Sequence, residues 1–500
     1  MLYTSTRDRS VKVSSAQAIA QGISADGGLF VPESIPQISM EEIVRLSSAD
    51  YVTRAKEILS LYLTDFTDEE LDYCVNGAYA TGRFSSQKVA PLAEIEPNVH
   101  LLELWKGPTC AFKDMALQLL PYLMTVSAKK TADGKTIVIL VATSGDTGKA
   151  ALEGFKDVKD TKILVFYPED GVSPMQKLQM MTQEGGNVGV CAIRGNFDDA
   201  QSGVKRIFSD RSIAEKLAAH NMMFSSANSI NWGRLVPQIV YYISAYCDMI
   251  ADGSITPGAP VNIAVPTGNF GNILAAYYAR KMGLPVNKLI CASNANNVLT
   301  DFLTTGVYDR NRPFHATISP SMDILISSNL ERLLFDLTDG DDRAVAGYMN
   351  QLNTTGRYEV APEIFSKISA LFRAGCCDDA ATKRTIHQVY ESDEYLCDTH
   401  TAVALHVYFD YRSSTSDTTD TIIASTANPF KFSAAVLEAV GGGLAAGRSE
   451  FDLVHQLSVL TGEQVPAPLA DLEQRSVRFT DVCDKEEMAQ AVFRMLGIEG

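Results

Sequence analysis

TIVILVATSGDTGKAALEGF, residues 136–155, opens with aliphatic and β-branched residues, breaks at Ser-Gly-Asp-Thr-Gly and resumes with apolar residues three and four apart. A short apolar run ended by a glycine turn reads as a strand buried on both faces, and the 3.6-residue spacing after it reads as a helix beginning near Lys149. The alternation recurs outward from there. KILVFYP (162–168), VGVCAIRG (188–195), VNIAVPTG (261–268), KLICASN (288–294) and TIIASTA (421–427) are further strand candidates, with QSGVKRIFSDRSIAEKLAAH and ILAAYYARKMG as helical stretches between them. Strands that are nearly continuously apolar and separated by helices predict an α/β fold of parallel sheets flanked by helices on both sides.

The flanks are organised differently. Residues 1–90 combine a hairpin-like start, a turn at Asp26-Gly27-Gly28, a proline-marked loop from Pro32 to Pro36 and acidic helices, and are read as an N-terminal domain. Residues 91–310 form the α/β body, and 311–415, with MDILISSNLERLLFDL and VAGYMNQLNT, are expected to be a helical elaboration inserted into it. Residues 416–500 complete the body and add a C-terminal segment.

The 500 residues carry 43 Lys and Arg against 60 Asp and Glu, a net charge of −17, and contain no basic block of five. Such a surface repels nucleic-acid phosphates and anionic lipid, so neither is an expected partner. Nine scattered cysteines without a C-x-x-C pair spell neither a zinc site nor a disulfide framework. The amino terminus lacks an apolar signal core and no uninterrupted stretch of eighteen apolar residues occurs; a cytoplasmic protein is expected, although Arg7, Arg9 and Lys12 leave organelle import open.

Several motifs fail. In Ser144-Gly145-Asp146-Thr147-Gly148-Lys149-Ala150 two residues rather than four separate the glycines, and Ala150 stands where a P-loop needs a magnesium-binding hydroxyl. Residues 441–446 spell G-x-G-x-x-A but follow the helical run KFSAAVLEAV, which makes them a helix C-cap and loop instead of a dinucleotide site. H-E-x-x-H and G-x-S-x-G are absent and the seven histidines show no ligand spacing, so no metal is expected.

Two glycine loops remain. Ser144, Gly145, Asp146, Thr147 and Gly148 join a buried strand to a helix, so their N–H groups and the helix dipole converge on an anion-sized space. Pro266-Thr267-Gly268-Asn269-Phe270-Gly271-Asn272 occupies the same strand-to-helix position, with glycines that let backbone wrap a phosphate. The third element is GPTCAFKD (107–114), where Lys113 lies between the apolar Cys-Ala-Phe and Met-Ala-Leu. Low-dielectric surroundings lower a lysine's pKa and expose a neutral amine. An activated lysine with two phosphate-sized cradles points to pyridoxal 5′-phosphate held as a Schiff base.

GPTCAFKD, SGDTGKAALEGF, SPMQKLQM, NSINWGRL, PTGNFGNILAAYYA and STANPFKF, in this order and with YTSTR and SADGGLFVP at the start, closely resemble the threonine synthase family, in its longer bacterial and fungal branch. The resemblance covers residue 3 to about 440. It implies the fold type II, tryptophan-synthase-β-like architecture of pyridoxal-phosphate enzymes, and conversion of O-phospho-L-homoserine and water to L-threonine and phosphate by a monomer or homodimer. Carried over by position, it makes Lys113 the Schiff-base lysine, sets the cofactor phosphate against Gly268, Asn269, Phe270, Gly271 and Asn272, and puts Thr426 at the pyridine nitrogen. Residues Ser144 to Gly148 would face the substrate, with Asn228, Ser229, Asn231 and Arg234 lining the same cleft, and Arg234, Lys149 or Lys177 would supply positive charge. Asn428, Lys106 and Gly233 depart from the family's usual residues. A phospho-lyase or dehydratase acting on a related amino acid is the alternative reading.

Overall fold

The computed structural model describes residues 1–498 except 132, 133, 144, 171, 173, 442 and 444–446. Among them the strands are, in chain order, β1 (Tyr3–Ser5), β2 (Phe30–Pro32), β3 (Leu92–Glu96), β4 (Val99–Glu103), β5 (Thr136–Ala142), β6 (Thr161–Pro168), β7 (Val188–Arg194) and β8 (Met222–Ser225), then β9 (Val261–Pro266), β10 (Val286–Ser293), β11 (Val307–Asp309), β12 (Arg357–Glu359), β13 (Phe372–Cys376), β14 (Thr421–Ser425) and β15 (Val482–Asp484). One sheet has the order β13-β10-β9-β14-β4-β3 and is parallel except for its antiparallel edge β3. The other, β15-β7-β6-β5-β8, is wholly parallel.

Burial on two faces explains why the central strands read as continuous apolar runs. Ile137, Ile139 and Val141 of β5 enter a central core, while Val138 and Leu140 enter another beneath the helices Phe197–Ser209 and Met488–Leu496. In the larger sheet, Ile263, Val265 and Ile422 face the central core. Ala264 and Ile423 face a third core, built with the helices Asp379–Asp393, Thr399–Thr415 and Glu450–Thr461.

β1 pairs antiparallel with β2 across the intervening helix Ser15–Gln21, so the hairpin-like start is a closed two-stranded sheet, not a local turn. The N-terminal helices Met40–Ser47 and Tyr51–Tyr62 pack on the long buried helix Trp232–Ala251, where Arg54 pairs with Asp248 at 2.6 Å and Trp232 meets Tyr3 and Tyr62 edge-on or tilted. The region 311–415 is not only helical: it contributes β13 to the edge of the larger sheet. FRAGC is mostly half-buried there, so no apolar run marked it.

Gly441, at φ +90°, follows the helix Ser433–Ala439 as a C-terminal turn requires, and residues 442 and 444–446 of that motif lie outside the described residues. All nine cysteines are free, and among the described residues no helix is long and apolar enough to cross a membrane. The C-terminal ends of β4, β14 and β9 lie side by side, the place where open parallel sheets bind ligands.

Candidate active site

After β4 the chain turns through Gly107–Ala111 into the short helix Lys113–Leu117. Two backbone bonds fasten this loop along the end of β14: Leu104 N–H donates to Ser425 O at 2.9 Å, and Phe112 N–H to Thr426 O at 2.8 Å. Asp114 accepts from the N–H (2.8 Å) and hydroxyl (2.6 Å) of Thr109, tightening the glycine-proline turn, and burial pushes its pKa up to about 6 against those bonds. Lys113 is thereby held with only 9% of its surface exposed, its Nζ 3.3 Å from Ser321 Oγ and 3.8 Å from Asp146 Oδ2. Burial lowers its pKa to about 8; Asp146 opposes that shift, while Lys431 and Arg234 reinforce it.

The loop after β5 commits part of the donor set that its glycines suggested for an anion. Thr143 Oγ1 accepts from Gly145 N–H and Gly148 N–H, each at 3.0 Å, so two of the loop's donors close on the loop itself. The helix starts at Asp146, earlier than Lys149, and turns the Asp146 carboxylate into the site. There it meets Lys431 Nζ at 2.6 Å and Gln176 Nε2 at 3.1 Å. Burial alone would raise its pKa, but Lys431 and Lys113 outweigh burial and hold the carboxyl well below the usual range. This loop presents a fixed negative charge. Ser144 lies outside the described residues and Thr147 is half-buried.

In the loop after β9, Gly268 is pressed by the turn Pro320–Met322: a Cβ there would stand 2.8 Å from Ser321 O and 3.3 Å from Met322 Cα. Gly268 O accepts from Ser327 Oγ (2.7 Å), and Asn269 O from the N–H and side-chain amide of Asn329 (3.1 Å each). Phe270 adopts left-handed backbone at φ +62°, and Gly271 opens the helix Gly271–Met282. Asn272 Oδ1 accepts from the Tyr242 hydroxyl, leaving its Nδ2 buried with no partner among the described residues. Arg234 Nη1 donates to Ala227 O at 2.7 Å while its Nε is likewise buried and unpartnered, and burial lowers its pKa to about 10.

Other expected residues have different surroundings. Asn231 is a brace, not a cleft lining: it is fully buried, its amide donates to Ile19 O (3.0 Å) and Ser226 O (2.8 Å), and its oxygen accepts Gly233 N–H (2.8 Å). Asn228 is exposed, and half-buried Ser229 stands 3.5 Å from Ser328 Oγ. Lys149 is ion-paired with Glu153 at 3.1 Å, and Lys177 donates to the backbone carbonyl Glu169 O at 3.1 Å. Thr426 sits just past β14, its N–H donating to Thr401 Oγ1 at 3.3 Å and its hydroxyl without a partner among the described residues.

Sequence reasoning missed Lys431, Ser321 and the strap 327–332. Lys431 Nζ, 2.6 Å from Asp146, also donates to Thr109 O at 3.0 Å. Its signal lay in STANPFKF, where Asn428 accepts Phe430 N–H (3.0 Å) and caps the turn that delivers the lysine. In the strap, buried Arg332 binds Phe30 O (3.0 Å), Asn329 Oδ1 (2.6 Å) and Ile230 O (2.6 Å), joining the N-terminal region, the β9 loop and residues 228–231.

The family model described as "Threonine synthase N terminus" matches residues 2–79, "Pyridoxal-phosphate dependent enzyme" matches 86–426, and "Threonine synthase, C-terminal" matches 401–492. Threonine synthase of Pseudomonas aeruginosa is 38% identical over 502 residues, covering 100% of this chain and 99% of that protein. Human "Threonine synthase-like 1" is 40% identical over 435 residues, 85% of this chain, which spans 58% of that protein's length. The crystal structure of pyridoxal-phosphate-bound threonine synthase from Brucella melitensis superposes with a TM-score of 0.88 at 36% identity, over 100% of both chains.

Proposed function

The chain belongs to the threonine synthase family, and from that premise we propose that it converts O-phospho-L-homoserine and water to L-threonine and phosphate, with pyridoxal 5′-phosphate on Lys113. The observation that carries this reading is the buried Lys113 amine at the C-terminal edge of the larger sheet, with a pKa lowered to about 8. The residues present fit the cofactor. Among the described residues Asn272 Nδ2 and Arg234 Nε are buried donors without acceptors, and Thr426 has an unpartnered hydroxyl beside the lysine's loop. A buried donor left unmade costs about 1–3 kcal/mol, which an anionic ligand would recover.

In this reading Gly268 to Asn272 hold the cofactor phosphate, Thr426 meets the pyridine nitrogen, and Arg234 and Ser229 face the substrate. When bound, the cofactor supplies the electron sink that makes protons near the substrate's amino group removable. The chain supplies the rest. Lys113 Nζ titrates close enough to neutrality to accept and return a proton at Cα. Asp146 stays ionised, orients Lys113 from 3.8 Å and neutralises Lys431, so the cluster holds one mobile proton instead of three competing charges.

Product analysis tests this. The purified chain incubated with O-phospho-L-homoserine is expected to release phosphate and threonine in equal amounts; 2-oxobutyrate in place of threonine would overturn it in favour of a lyase of the same fold.

A further inference from the structure

Asp398 lies under the site, fully buried, as the N-cap of the helix Thr399–Thr415. Its two oxygens serve two different arms. Oδ2 accepts from His400 N–H at 2.9 Å and lies 2.8 Å from His400 Nδ1. His400 Nε2 accepts Ser321 N–H at 3.2 Å, so Nε2 is the bare nitrogen and Nδ1 carries the proton toward Asp398. Ser321 Oγ in turn accepts from Lys113 Nζ at 3.3 Å, and the same residue's carbonyl faces Gly268. On the other arm, Oδ1 accepts from Thr401 N–H at 3.1 Å and from the Thr401 hydroxyl. With its proton committed there, Thr401 Oγ1 accepts Thr426 N–H at 3.3 Å and stands 3.2 Å from Ser425 Oγ.

We propose that Asp398 is a positioning residue for the cofactor site. Through His400 it fixes Ser321 against the Lys113 amine; through Thr401 it fixes the strand end that carries Thr426. A helix cap needs only one acceptor for one N–H. Here both oxygens and a buried imidazole are committed to two segments distant in sequence, and a buried charge is tolerated only when its bonding is complete. The proposal rests on Lys113 and Thr426 contacting the cofactor.

The test uses the full-length chain with two readouts besides turnover: the pH midpoint for reductive methylation of Lys113 in protein stripped of cofactor, followed by peptide mass, and the visible absorption band of the loaded protein. His400→Ala frees Ser321, the Lys113 ammonium loses an acceptor, and the midpoint is expected to fall by about one pH unit. His400→Gln, whose amide oxygen can accept Ser321 N–H, should restore it. Thr401→Val should shift the visible band and Thr401→Ser return it, while Asp398→Asn should move both readouts. Asp146, Lys431, Arg234 and Asp114 also face Lys113, and Asp323 faces His400; none is altered. Parental values from His400→Ala and Thr401→Val would overturn the proposal, and these pairs decide the matter even where Asp398→Asn fails to fold. Borohydride reduction of the loaded parent separates the two readings. A pyridoxyl group on a lysine other than Lys113 would sink the functional assignment, whereas labelled Lys113 with unmoved variants would sink the positioning role alone.

Discussion

The loops after β5 and β9 look alike in sequence, each a glycine-rich link from a buried strand to a helix, yet they meet the lysine with opposite chemistry. The β5 loop folds Gly145 and Gly148 N–H onto Thr143 and delivers the ionised Asp146 to Lys431 and Lys113. The β9 loop is held from outside by Ser327 and Asn329 and, among the described residues, leaves Asn272 Nδ2 without a partner. A glycine turn at a strand end is therefore only a permission. Where the loop's own hydroxyl takes the donors, it becomes scaffold for a charge; where other segments take its carbonyls, its donors stay available for an anion.

Removing the lysine between the loops gives the largest effect. Lys113→Ala should cut turnover by on the order of 10³-fold or more and abolish the borohydride-reducible linkage. If the β9 loop holds the phosphate by itself, the variant still binds pyridoxal phosphate but loses it on dialysis; wild-type retention after dialysis would mean that another lysine carries it. Next is Asp146→Ala, which leaves buried Lys431 facing Lys113 with no counter-charge. Breaking a buried ion pair costs about 3–5 kcal/mol, so urea unfolding should show a loss of that size, and an unchanged midpoint would dismiss the β5 loop as the cluster's anchor.

The glycines separate the loops more finely. A Cβ on Gly148 collides with the Thr143 side chain that closes the β5 loop, whereas one on Gly268 meets Ser321 O at 2.8 Å. Each substitution is expected to cost about 1–3 kcal/mol by overpacking. Gly148→Ala should take it from stability, with cofactor affinity of the folded protein unchanged; Gly268→Ala should also weaken cofactor binding, measured by absorbance titration. Equal losses of affinity would erase the distinction.

What was legible in the sequence was local. The strands β5, β6, β7, β9, β10 and β14 send residues into cores on both faces, so their central residues are nearly all apolar. β3, β8 and β13 are mostly half-buried, and VHLLE of β4, though buried, is short and interrupted by His100, so none declared itself. The same rule governs the site. Lys113 and the two glycine loops each sit within one strand-turn-helix unit, but Ser321, Asp398, His400 and Lys431 join the lysine's network through tertiary contacts, and a lone Ser, His or Lys has no pattern of its own. Asn231 shows the converse error, a polar residue inside a site motif whose amide is consumed by the chain.

The smallest expected effect is a titration shift, and it bears most directly on the β5 loop. Burial is the main force on Lys113 and favours the neutral amine, so its midpoint lies at about 8 instead of 10.5. As pH rises through that value the neutral fraction grows, and reductive methylation in the cofactor-free chain should accelerate and level off above it. Asp146 works against burial by stabilising the ammonium. Asp146→Asn keeps the shape and an oxygen for Lys431 but removes the charge, and it leaves Lys431 and Arg234 unopposed. The midpoint must then move down, by about one pH unit if the lost interaction is near 1.4 kcal/mol. An unchanged midpoint would mean that Asp146 carries no charge in the parent, and the contrast between a charged β5 loop and a donor-bearing β9 loop would fall with it.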